Sequence, residues 1–207
     1  MKLIIFGSTG SIGRHLVDMA LVDGHQVTAF TRQPDAFGAA RDGLNVVKGD
    51  VLDETAVATA IGGHDAVFCA LGAGRKGGVR AKGTANILAG MKERGVRRLI
   101  CQTTLGVGDS AANLNFFWKY IMFGLLLRPA FADHVQQEAH VRASDLDWTI
   151  VRPSAFTDGP ETAAYHHGFS PAQDGLALKI ARADVARFML SQLNDDTYLR
   201  KAASLSY

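Results

Sequence analysis

At 207 residues the chain has room for one α/β domain with a substantial core and little beyond it. A content of 47% hydrophobic and 20% charged residues is ordinary for a globular protein and excludes a long disordered or low-complexity tract. With 22 basic against 20 acidic residues, a formal charge of +2, no global field draws the chain to nucleic acid or to an anionic membrane, so any anion it binds must be held locally.

The first residues, Met1 to Phe6, run into a glycine-rich turn with no basic-then-apolar leader, which makes the cytoplasm the expected location. Lys2–Phe6 reads as a strand. It leads into Gly7-Ser8-Thr9-Gly10-Ser11-Ile12-Gly13, and a helix over Ile12–Val22 follows. Strand, glycine turn and helix in that order are what a pyrophosphate site requires: glycine lets the backbone approach the phosphates, and free N–H groups at the helix start meet their charge. Further apolar runs predict strands at Gln26–Thr31, Leu44–Lys48, Ala66–Ala70, Arg98–Gln102 and Trp148–Val151. Apolar residues at three- and four-residue spacing predict helices over Glu54–Ile61, Val79–Arg94, Asn113–Leu126, Asp133–Ser144 and Ala183–Leu193, with Asp53 capping the first of these.

This alternation predicts an α/β fold: a single Rossmann-type domain over residues 1–207, with a doubly wound, mainly parallel sheet and helices on both faces. Leu71–Gly78 and Ser154–Gly175 read as loops at one end of the sheet, where the binding crevice of such folds lies. Cys69 and Cys101 each close an apolar run without CxxC or zinc spacing and read as reduced core thiols; no residue cluster has metal-site spacing, so no metal is expected. Phe116–Leu127 is far shorter than the roughly 20 residues of a spanning helix, so no membrane span is expected. It is nevertheless apolar almost all round, and an aromatic lid over a flat ligand, a dimer contact and plain core packing all remain open readings. Asp184, near the start of the last helix, reads as structural, and His166 and His167 as facing water.

The GxxGxxG spacing is similar to that of the extended and atypical short-chain dehydrogenase/reductases. The same group is matched by Gly49-Asp50-Val51, Ala70-Leu71-Gly72, Gln102-Thr103-Thr104, Ser144 through Pro153, and Ala181 through Ala186. The chain most resembles the small NAD(P)H-binding proteins related to NmrA-like regulators and to biliverdin reductase B/flavin reductase. By that resemblance Gly7, Ser8, Thr9, Gly10, Ser11, Ile12 and Gly13 hold the pyrophosphate, and Asp50 and Val51 flank the adenine. Ala70, Leu71, Gly72 and Thr103 line the cofactor, and Pro153, Ser154 and Phe156 pass close to the nicotinamide. Where an NAD site usually places a carboxylate, the second strand ends in Thr31-Arg32-Gln33. A planar guanidinium suits a 2′-phosphate, so Arg32 points to NADP(H), with NAD(H) the alternative if Arg32 merely faces solvent.

Family members that reduce carbonyls use a Tyr acid with a Lys four residues later. Registering Glu138 and Trp148–Pro153 on that pattern puts Ala130 at the Tyr position and His134 at the Lys position. Thr104 falls at the accompanying hydroxyl position, which leaves Thr104 and His134 as catalytic candidates; His134 is also readable as a packing residue beside a capping Asp133. The substrate-side region is expected mainly from residues 104–135 and 153–180. Two functions stay open: a reductase passing hydride to a small flat acceptor such as a flavin or quinone, and a non-catalytic redox-sensing regulator acting through a protein partner. Nucleotide-sugar epimerisation ranks last, because it depends on the Tyr. The expected partners are a small-molecule acceptor and, at most, a second copy in a homodimer, with no direct nucleic-acid contact.

Overall fold

The computed structural model describes all 207 residues. Strand β1 (Lys2–Phe6) is followed by α1 (Gly13–Val22), β2 (Gln26–Thr31), β3 (Leu44–Lys48), α2 (Glu54–Ile61), β4 (Ala66–Cys69), α3 (Arg80–Arg94) and β5 (Arg98–Gln102). A wide helix over Phe117–Leu126 then leads into α4 (Arg128–Ala143), β6 (Asp147–Pro153), β7 (Ala155–Thr157), β8 (His166–His167), β9 (Lys179–Ala181), α5 (Arg182–Ser191) and β10 (Lys201–Ser206).

The main sheet runs β3-β2-β1-β4-β5-β6-β10-β8, with β7 and β9 forming a separate pair. Every neighbour in the main sheet is parallel except β8, which runs antiparallel to β10. The strand order reverses between β1 and β4, which opens a crevice beyond their C-terminal ends.

Alternate residues of β1 serve opposite faces, as strand geometry requires. Leu3 and Ile5 pack with Leu16, Val17 and Ala20 of α1 and with Val185, Ala186 and Met189 of α5. Ile4 and Phe6 pack on the other face with Val57 and Ile61 of α2, Ile87 and Met91 of α3, and Val141 of α4. The six predicted strands form, and Asp53 caps α2 by accepting from the Ala56 N–H at 3.0 Å.

Four differences from expectation bear on the site, the first being that Ser154–Gly175, expected as loop, contains strands β7 and β8, held by pairing with β9 and β10. Strand β10 was not foreseen, because Lys201-Ala-Ala-Ser-Leu-Ser lacks β-branched residues; tertiary burial of Ala203 and Leu205 imposes the strand. The single helix expected over Asn113–Leu126 is instead a short 3₁₀ turn at Gly108–Asn113 and, after a break, the wide Phe117–Leu126 helix, in which bonds run to the fifth residue. Helix α4 starts at Arg128 and not at Asp133, with Pro129 in the first turn where its missing N–H is harmless.

The ends of β5, α4 and β6 are tied by one buried ionic cluster. Arg152 of β6 is 2% exposed and donates from Nε and Nη2 to the two oxygens of Glu138 on α4, at 2.8 and 2.7 Å. The Thr103 hydroxyl, just past β5, donates to the same carboxylate at 2.8 Å, and Asp109 accepts from Arg152 Nη1 at 2.6 Å. Removing Arg152 leaves the buried Glu138 carboxylate with only the half-exposed Arg142, 3.6 Å away, to offset its charge. Arg152→Ala is therefore expected to lower stability by about 3–5 kcal/mol in urea unfolding; a loss below about 1 kcal/mol would show that the cluster does not hold these elements together.

Candidate active site

The crevice at the β1/β4 switch point is built first by the absence of side chains. Gly7 has φ +81°, and a Cβ there would stand 2.3 Å from the Ala70 carbonyl oxygen; a Cβ on Gly13 would stand 2.1 Å from the carbonyl oxygen of Gly7. The turn is thus drawn against both the loop after β4 and itself. Ser8 is fully buried and its hydroxyl donates to the Phe30 carbonyl at 3.0 Å, while Thr9 lines the smaller cleft beside the turn, its Oγ1 3.4 Å from Thr31 Oγ1. These contacts fasten the turn to β2. The N–H groups of Ser11, Ile12 and Gly13 find no acceptor in the chain and stand at the start of α1, which makes a cradle suited to a pyrophosphate.

On one side of the cradle a cleft of about 190 Å³ is lined by Thr31, Arg32, Asp50, Val51, Leu71 and Gly72 among others. Arg32 is exposed and enters none of the chain's ion pairs. Asp50 accepts from the Leu52 N–H at 3.0 Å, which closes the turn that holds Val51 against the cleft.

On the other side lies a larger cavity of about 480 Å³, within the usual range for small-molecule sites. Gly10, Ser11, Ile12, Ala70, Leu71 and Gly72 form its near wall, and Gln102 to Leu105 with Pro153 to Phe156 form its flank. The far wall consists of Leu114, Trp118, Phe123, Leu127, His134, Leu178, Arg80 and Arg182. Structure therefore brings Thr104, His134, Pro153, Ser154 and Phe156 to one chamber with Thr103. The Thr103 hydroxyl is committed to Glu138, however, and that of Thr104 donates to the Leu105 carbonyl at 3.3 Å. His166 and His167 lie outside the lining of this cavity; His167 bonds Tyr198 at 2.8 Å.

His134 is 8% exposed and sits inside α4, nearly two turns from its start. Asp133 beside it is not the cap of its own helix. Its two carboxylate oxygens accept from the Arg80 and Ala81 N–H groups at 3.0 Å each, so it caps α3. Nδ1 of His134 lies 3.0 Å from Oε1 of Gln137. The two hydrogens of the Gln137 amide nitrogen are shared among Thr84 Oγ1 at 3.1 Å and the sulfurs of Cys101 and Cys69 at 3.4 and 3.7 Å, with its oxygen as an acceptor. That pairing is met by the tautomer with the proton on Nδ1, which leaves Nε2 without a partner in the chain. Burial, reinforced by the positive charge of Arg80, pushes the imidazole pKa down to about 4, so the ring is neutral at pH 7.

Sequence reasoning did not nominate Arg80, Arg182, Gln137 or the Glu138–Arg152 pair. Arg80 is buried, its Nε and Nη1 have no hydrogen-bond partner in the chain, and the Ser154 hydroxyl is likewise unpartnered. Arg182 places its guanidinium over the Phe156 ring, 5.4 Å from the centroid. An Arg at a helix start reads as a surface residue in a sequence, and only the packing of α3 and α5 against the crevice reveals otherwise.

A family profile described as NAD(P)H-binding matches residues 7–196. The chain belongs to this NAD(P)H-binding family. ChuY of Escherichia coli O157:H7, described as an anaerobillin reductase, superposes on this NAD(P)H-binding protein with a TM-score of 0.83 at 26% identity, covering 99% of this chain and 96% of ChuY. A short-chain dehydrogenase/reductase of Veillonella parvula solved in complex with NADP has the same fold, with a TM-score of 0.82 at 19% identity and 100% and 94% coverage. An uncharacterized Mycobacterium tuberculosis protein is 35% identical over 175 residues, which are 73% of this chain. The chain spans only 20% of the length of that relative.

The depressed His134 value has a consequence for stability. The unfolded imidazole, with a pKa of 6.5, takes up a proton on acidification before the folded one does, so this contribution is whole above pH 6.5 and drains away as the pH falls towards about 4. Between pH 7 and pH 5 the native protein is expected to lose about 2 kcal/mol more than His134→Gln in urea unfolding. Equal losses would mean that His134 is not held neutral by its surroundings.

Proposed function

We propose that the chain is an NADPH-dependent reductase that delivers hydride to a small planar acceptor such as a flavin or quinone. The observation that carries this reading is the cavity itself, which continues from the glycine cradle to a far wall where Trp118, Phe123 and three leucines stand beside His134, Arg80 and Arg182. The dinucleotide, when bound, supplies the hydride; the chain supplies alignment and exclusion of water. Aromatic and leucine side chains suit a flat ring stacked on the nicotinamide face, and the ChuY likeness supports a reductase reading.

The polar groups fit an acceptor that needs no acid from the protein. Helix α4 contains neither Tyr nor Lys. His134, neutral and with its proton held by Gln137, offers the cavity an acceptor and no proton, so we assign it the positioning of an N–H or O–H group of the ligand. The Thr104 hydroxyl is weakly tied and free to turn towards a bound ring. In the reaction one hydride passes to the acceptor, and a proton from solvent completes its reduction. Arg32, exposed and unpaired beside the smaller cleft, supports NADPH over NADH through a charge-assisted bond to the 2′-phosphate.

Arg32→Ala is expected to weaken NADPH binding about 10- to 100-fold, the equivalent of about 1.5–3 kcal/mol, and to leave NADH binding nearly unchanged. Calorimetric titration of both cofactors checks this, and equal weakening would remove Arg32 from the site. For the activity, stopped-flow oxidation of NADPH against free flavins and quinones should be saturable and enzyme-dependent. Tight NADPH binding with no oxidation above the protein-free rate would contradict the reductase reading and leave a cofactor-binding regulator.

A further inference from the structure

The helix that walls the cavity has a second face with no partner. None of the residues Phe117–Leu126 is buried. Trp118 and Phe123 turn towards the cavity and are half-buried, whereas Phe116 and Leu125 are 72% and 70% exposed, and Phe117, Tyr120 and Leu126 stand out with them. A contiguous apolar patch of this kind on a globular surface marks an interaction site.

The charges around the patch specify its occupant. A groove of about 600 Å³ runs between this helix and α4, with Leu114, Phe131 and Val135 in its apolar lining and Lys119 and Arg128 beside them. Both cations are exposed and neither enters an ion pair. No Asp or Glu occurs between Asp109 and Asp133. A second copy of the chain docked face to face would bring two sets of these cations together with no carboxylate of the segment to offset them. A lipid bilayer with anionic headgroups supplies both an apolar phase and the missing negative charge, and aromatic and leucine side chains flanked by Lys and Arg are the chemistry of interfacial helices.

We propose that the Phe116–Val135 face docks on an anionic lipid bilayer, with the exposed aromatics and leucines entering the headgroup boundary and Lys119 and Arg128 meeting lipid phosphates. The attachment is peripheral, because no helix is long and apolar enough to cross a membrane. It stands apart from the reductase reading, since none of Phe116, Leu125, Lys119 and Arg128 lines the catalytic cavity.

The test is flotation of the full chain with vesicles of phosphatidylcholine alone and of phosphatidylcholine mixed with phosphatidylglycerol, with light scattering in parallel. The chain should float with the anionic vesicles and dissociate from them as salt is raised. Each basic residue near such a surface adds about fivefold in partitioning, so Lys119→Gln with Arg128→Gln should lower it about 25-fold. Phe116→Asp with Leu125→Asp should abolish it while circular dichroism and NADPH binding stay unchanged. No flotation of the native chain, or flotation indifferent to the two Gln substitutions, overturns the proposal. A native dimer that the two Asp substitutions split, without vesicle binding, overturns it in favour of a contact between copies.

Discussion

Arg152 and Glu138 lie in the interior beside the cavity, and each offsets most of the other's charge. Arg152 forks onto both oxygens of Glu138, and the Thr103 hydroxyl takes a further lone pair of the same carboxylate. The three residues belong to β6, α4 and the end of β5, and each of these elements presents something to the cavity: Pro153 to Phe156 follow Arg152, His134 stands one helical turn before Glu138, and Thr104 follows Thr103. Burying such a pair is costly compared with an apolar substitute. Its return here is geometric: it fixes three chain segments relative to one another where a ligand must be held in register.

The two ends of the crevice are shaped by opposite means. At the cradle, side chains are removed so that backbone meets backbone, and the unpaired N–H groups of Ser11 to Gly13 are left for an anion. At the far end, side chains converge, and the few polar groups among them are set by contacts deeper in the core. Cys69 and Cys101 stand opposite each other on β4 and β5 and, with Thr84, accept from Gln137, which in turn meets His134 Nδ1. Core polarity therefore reaches the cavity through the Gln137–His134 contact.

Sequence patterning was sufficient for the parallel sheet and the glycine turn, because both depend on local composition: continuous apolar strands, and glycines at fixed offsets. It was insufficient wherever a residue's role is set by a distant partner. Lys201–Ser206 is a strand only because β6 lies beside it, and Asp133 looks like the cap of its own helix while it caps α3, more than fifty residues earlier in the chain. His134 was identifiable as a cavity residue through its register with a family motif. Its lowered pKa was not, since that depends on burial and on the neighbouring Arg80 charge.

Hydride delivery as proposed requires the nicotinamide end of the cofactor to enter the Trp118-walled cavity. A crystal structure of the protein with NADP⁺ tests this most directly. The pyrophosphate is expected over Gly7 to Gly13, the 2′-phosphate at Arg32, and the nicotinamide riboside between Pro153 and the far wall with a hydrogen-bonding group on His134 Nε2. A nicotinamide riboside lying outside the cavity, with Trp118 and Phe123 closed against Ser154, would contradict the proposed hydride delivery.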